Sequence, residues 1–306
     1  MNKEIKKTSI GGQALFEGIL MKGPYETAIS IRKPDGDIET TIADRTELAK
    51  KYKIFNYPFF RGIGALYDAI TNGSKAIDYA LSFYEEDKKS KDKSPFREKL
   101  DNILMSLTTV ITFVAFILIF LFLPNWITNK FKENINSIFV LNLIEGLIRV
   151  ILFLIYVILI GQIKDIKRVF KYHGAEHKTI ACYEHGEDLT VENVRKHSKL
   201  HPRCGTSFMF NMVIISAFVL SFFGWPNPII RLITRILVIP LLVGVTYELN
   251  RWMGRSDSLL SRVLAKPGMF VQYIGTVKEP TDDMIEVAIE AMKRVIPEDE
   301  HADEWW

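Results

Sequence analysis

Four long apolar blocks set the hydrophobic pattern of the chain. Residues 104–123, LMSLTTVITFVAFILIFLFL, carry no charge. At 1.5 Å per residue that is about the length needed to cross ~30 Å of hydrocarbon. Pro124 and Asn125 are expected to close this block. Residues 138–163, 206–225 and 228–249 form the other three, and Pro240 is expected to bend the last. Blocks of this length with so few charges predict transmembrane helices rather than buried core helices.

Outside the blocks the periodicity changes. In TAISIRKPDGDIETTI, residues 27–42, apolar and polar positions alternate around a PDG turn, which predicts a β-hairpin. Residues 58–85 read as a helix with Phe59, Ile63, Leu66 and Ile70 on its apolar face, expected to pack on the hairpin. MFVQYIGTV, residues 269–277, reads as a strand. Residues 281–296 read as a helix capped by Thr281, with Asp282 and Asp283 where the dipole favours them. Its apolar stripe is Met284, Ala288, Ala291, Met292 and Val295. The expected fold is an α-helical membrane protein with four transmembrane helices and a small α+β cytoplasmic unit formed by the N- and C-terminal segments. The divisions are 1–103, 104–250 and 251–306, with a histidine-rich cytoplasmic loop at 164–205. A charged linker, EEDKKSKDKS, precedes the first span.

Charge then orients these blocks. The segment before the first span is rich in lysine and arginine, and residues 164–205 hold nine such residues. Residues 124–137 hold two, and the PNP turn holds none. Basic loops stay inside, so both termini and the histidine loop are expected on the cytoplasmic side of the cell membrane. No signal peptide is expected, because Glu17 interrupts the best early apolar run. The net charge of +3 shows no nucleic-acid footprint, and the mean hydropathy of +0.10 reflects the four blocks. The partners expected are the lipid bilayer and further copies of the chain.

The candidate chemistry is concentrated. Of six histidines, five (His173, His177, His185, His197 and His201) lie between residues 173 and 201, and both cysteines, Cys182 and Cys204, lie close by. In a cytoplasmic loop these cysteines are expected as free thiols or metal ligands. His173 and His177 are four apart, so a helix points both the same way. With Glu176 they make H-x-x-E-H, the order of inverted zinc metallopeptidases, in which the glutamate acts as general base. The motif HSKLHPRC adds His197, His201 and Cys204, after a short helix expected to start at Thr190 and end near Leu200. A third ligand would come from His201, Cys204 or Glu248, or Glu248 would orient a ligand histidine. Within the spans, Glu145 and Arg235 sit at matching depth, so Glu145 is expected to pair with Arg235 or Arg149. The glycine-rich GGQALFEGILMKGP, residues 11–24, lacks a phosphate-loop ending and is expected as a buried turn.

The stretches GGQALFEGILMKGP, AISIRKPDGDI, YHGAEHKTI, HPRCGTSF, YELNR and PGMFVQYIGTVKEPTDDMIEVAI resemble the bacterial membrane-protein family called domain of unknown function 1385 (DUF1385). They run from residue 11 to about 290. Members carry the label of predicted metal-dependent enzymes, and on the matched motifs the resemblance implies His173, Glu176, His177, His201 and Cys204. The functional expectation is a zinc-dependent hydrolase whose site lies between the second and third spans. The alternative is a non-enzymatic, channel-like homo-oligomer with structural histidines.

Overall fold

A computed structural model of the chain describes residues 5–85, 95–224, 227–299 and 301–305. Most of the charged linker and Pro226 therefore lie outside the described residues. In chain order the elements begin with strands β1 (Gly11–Leu15), β2 (Gly18–Lys22), β3 (Thr27–Arg32) and β4 (Ile38–Ile42). Helices α1 (Leu48–Lys51), α2 (Phe60–Glu85), α3 (Pro95–Ile117), α4 (Leu123–Asn129), α5 (Ile138–Ile160) and α6 (Lys164–Glu184) follow. Then come α7 (Val191–Lys196), α8 (Gly205–Leu220), α9 (Pro228–Arg255), α10 (Leu259–Val271) and α11 (Asp282–Val295). The elements fall into two compact units.

The first unit comprises residues 1–84, 157–211 and 243–306. Its four strands form an antiparallel sheet in the order β1-β2-β3-β4. β3 and β4 are the hairpin that the alternation predicts. The glycine-rich stretch is a second hairpin rather than a buried turn. Gly12 opposes Met21 and Leu15 opposes Gly18, and Glu17 takes the left-handed backbone in the bend, φ 53°. The sheet is covered on both faces. Ile19, Met21 and Ala28 join Met284, Ile285, Ala288 and Met292 of α11 in one core. Leu15, Leu20, Ile29 and Ile31 meet Ala76 and Ala80 of α2 in another. Each large aliphatic side chain buried this way contributes about 1.5–3 kcal/mol.

The face of α2 differs from expectation. Phe59 and Ile70 are exposed, and the buried positions are instead Gly62, Gly73, Ala76 and Ala80 on one side of the helix, with Gly64 and Asp68 on another. Small residues allow neighbouring side chains to approach the helix backbone closely: a Cβ on Gly73 would lie 2.4 Å from Gln13 Oε1. Hydrophobicity alone therefore pointed to the wrong side. A second correction concerns residues 269–277, which are not a strand. α10, capped by Ser258, runs on through a wide-turn segment Gln272–Thr276, and only Val277 onward is extended. The helix prevails because Gln272 is locked by its own side chain, which accepts from His201 N at 3.0 Å and donates to His201 O at 2.8 Å.

The second unit comprises residues 85–156 and 212–242. It holds most of α3 to α5 and parts of α8 and α9. Among the described residues, three helical stretches, Ser106–Asn129, Ile138–Ile160 and Ile229–Arg255, are long and apolar enough to cross a membrane. The remaining expected span, 206–225, is only a 16-residue apolar helix, α8, so four spans are not established. The first stretch also does not stop at Pro124. A wide turn over Leu118–Phe122 carries the helix into α4, with Pro124 near its start. Proline lacks an N–H, which releases the Phe120 carbonyl four residues back, and Arg149 Nε donates to that carbonyl at 3.3 Å.

Candidate functional site

The H-x-x-E-H motif lies wholly inside α6, a helix buried around most of its middle. Gly174, which weakens a helix, is required here: a Cβ would sit 2.1 Å from Lys278 O. The extended chain after Gln272–Thr276 therefore runs against α6, and Lys278 N donates to Phe170 O at 2.9 Å.

Cys204 immediately precedes α8, and its sulfur accepts from Thr206 N at 3.3 Å. A thiol at a helix start is biased towards thiolate. Its sulfur lies 3.2 Å from His173 Nε2, and one donor atom from each of His173, His177 and Cys204 lies within 4.8 Å of the other two. The opposite ring nitrogens are held by the backbone. His173 Nδ1 donates to Thr276 O at 3.0 Å and His177 Nδ1 to Lys199 O at 2.6 Å, in the tautomers that leave each Nε2 a lone pair. This is how ligating imidazoles are usually oriented. Across a tetrahedral zinc a nitrogen and a sulfur stand about 3.5 Å apart, so the 3.2 Å separation fits with a small adjustment.

Glu176 completes the group. It is buried, its carboxylate accepts from the Gly12 backbone N–H, and its Oε2 has no partner among the described residues. Burial raises its pKa above the ordinary carboxylate value, against the pull of His173 and His177. Burial opposes charge on both His173 and Cys204, and their mutual attraction overrides it: His173 is raised to about 9, and the thiol falls well below its ordinary value.

Two expected residues lie elsewhere. Glu248 is a partner of Arg61, whose Nε donates to Glu248 Oε1 at 2.7 Å, and it also accepts from Phe59 N at 3.1 Å. Arg61 Nη2 donates to Oε2, so both carboxylate oxygens are engaged with α2 and its leading turn, away from the three donors. His201 is buried with its ring 5.6 Å from that of His177, but its Nε2 faces Glu184 Oε2 at 3.5 Å and Arg203 Nη2 at 3.3 Å. It borders the group without joining the three. Periodicity could not identify the groups that orient the site: Gly12, the Thr276 and Lys199 carbonyls, and Gln272. The one available signal was the density of glycines at residues 11–24.

The family described as "Protein of unknown function (DUF1385)" matches residues 57–298. The chain belongs to the DUF1385 family. It is also 33% identical over 306 residues to "Uncharacterized protein YqhQ" of Bacillus subtilis (strain 168), covering 97% of this chain and 95% of that protein. No solved structure matches. The matched span includes every donor of the candidate site, while the β1–β2 hairpin that supplies Gly12 precedes the DUF1385 match.

Proposed function

We propose that this DUF1385 protein is a metal-dependent hydrolase of the cell membrane, with zinc held by His173, His177 and Cys204 on the cytoplasmic side. The observation that carries the reading is the pairing of three converging donors with a buried carboxylate, Glu176, that keeps one oxygen free. A donor set of two nitrogens and one sulfur suits zinc, and three protein ligands leave the open position typical of catalytic sites. Bound there, zinc would supply Lewis acidity. Glu176 takes the proton from the attacking water, and burial, which raises its pKa, makes it a stronger base than an exposed carboxylate. The Thr276 and Lys199 carbonyls keep both imidazoles in register. The three apolar helices supply the anchor, and the basic loops support the cytoplasmic placement.

The test is metal content by mass spectrometry on protein purified without a histidine tag, with hydrolysis of an ester, amide and phosphoester reporter panel. Wild type is expected to hold near-stoichiometric zinc. Glu176→Gln should keep the metal and lose the hydrolysis that wild type shows. Metal-free wild type running as one large particle would overturn the reading in favour of an assembly with structural histidines.

A further inference from the structure

The membrane-type unit contains a charge cluster that the hydrolase reading does not use. Glu145 of α5 is 1% exposed and meets three guanidinium groups. Arg149, one turn later on the same helix, pairs with its Oε1. Arg235 of α9 donates to its Oε2 at 2.5 Å, and Arg231 approaches that oxygen to 4.0 Å. The Asn125 side-chain oxygen, in the amide orientation that satisfies both neighbours, accepts from Arg235 Nη1 at 3.2 Å and Arg231 Nε at 3.3 Å.

Three cations thus gather on one anion among the described residues. All three arginines are buried, at 4–8% exposure, and arginine does not lose its proton under ordinary conditions. Buried charge in an apolar surround is costly, and such residues commonly mark an ion or ligand site. A cavity of about 60 Å³ opens at the cluster, lined by Arg231, Arg235, Asn142, Thr234, Leu220 and Phe223. That is well above the roughly 10–15 Å³ that one water needs. The nearby outer faces are apolar and exposed, with Leu143, Leu147, Ile229, Ile233 and Leu237 open to the surroundings.

We infer that this cavity binds a phosphate-class oxyanion, and that its source is the head group of an anionic phospholipid. The planar guanidinium forks of Arg231 and Arg235 match the geometry of phosphate oxygens. The acyl chains would lie along the exposed Leu and Ile faces of α5 and α9. Glu145 sets the spacing of the arginines and competes with the ligand for them.

The experiment measures the thermal unfolding midpoint of the full-length protein in neutral detergent. One arm adds phosphatidylglycerol or phosphatidylcholine, and a second adds sodium phosphate or sodium chloride at matched ionic strength. Phosphatidylglycerol is expected to raise the midpoint saturably, and phosphatidylcholine is not. Arg231→Gln should weaken the apparent affinity roughly tenfold or more. Glu145→Gln should tighten it, which general loss of structure would not do. A shift with phosphate alone would keep the anion site and change its source to a free ion. The inference is overturned if neither phosphatidylglycerol nor phosphate shifts wild type, or if a folded Arg231→Gln binds as wild type does. Should Arg231→Gln not fold, weaker binding by Glu145→Gln than by wild type overturns it.

Discussion

Two groups of metal-type side chains draw on α6, and they differ in how their donors are held. The first is His173, His177 and Cys204; the second is Cys182, Glu187 and His197, again with one donor atom of each within 4.8 Å. In the first, backbone carbonyls orient both imidazoles and the sulfur sits at a helix start. In the second, Glu187 is exposed, and burial with nearby Glu187 and Asp188 pushes the Cys182 thiol up to about 11. Its sulfur points at the Glu187 and Asp188 carbonyls, at 3.9 and 3.6 Å. The lesson is that proximity of ligand types is cheap, while fixed tautomers and a thiol biased towards thiolate are what distinguish a built site. Our functional reading therefore rests on the first group alone.

The largest expected effect tests that choice directly. His173→Ala with His177→Ala should reduce bound zinc from near one per chain to background by mass spectrometry. Cys182→Ser, His197→Ala and Glu248→Gln should each leave it near one. Zinc that follows Cys182 and His197 instead would reverse the comparison.

Next in size is Glu184, at the end of α6 between the two groups. Its carboxylate holds Arg203, His201 and Thr8 N. Glu184→Gln leaves the buried Arg203 without its partner, so a loss of about 3 kcal/mol is expected in chemical denaturation, with zinc content retained. Burial works against its charge, but the hydrogen bond from His201 and the charge of Arg203 win, and the pKa is lowered from 4.5. A depressed folded value means the stabilisation is complete above the unfolded pKa and fades as pH falls through the folded one. Wild type should therefore lose stability more steeply than Glu184→Gln as pH falls below about 4.5.

Gly174→Ala is expected to cost about 1–3 kcal/mol, because Lys278 O must move to admit the methyl group. If zinc affinity falls as well, the extended chain after Thr276 is needed to position His173. The smallest effect belongs to the second group: Cys182→Ser should change stability by about 1 kcal/mol or less. Because its thiol stays protonated near neutral pH, Cys182 should react with iodoacetamide far more slowly than Cys204 does in metal-stripped protein.

Much of this was legible from residue order. His173, Glu176 and His177 share one helix, so a spacing of three and four residues suffices to bring them together. The α11 stripe and the β3–β4 hairpin follow from periodicities of 3.6 and 2. Reading failed where the decisive partner lay far along the chain. Glu248 looked like a ligand because it ends an apolar run, yet Arg61, 187 residues away, claims it. Residues 269–277 have a strand's composition, yet Gln272 anchors them as helix to His201, 71 residues distant. The buried face of α2 consists of small residues, which carry little hydrophobic signal.

By itself, the sequence determined that long apolar helices exist, that histidine and cysteine cluster after the second of them, and that the family is DUF1385, because these depend on local composition and spacing. Only the tertiary structure decided which donors converge, which carboxylate stays free and which arginines crowd onto Glu145. Those outcomes depend on where distant backbone carbonyls and helix faces come to rest, and no local pattern encodes that position.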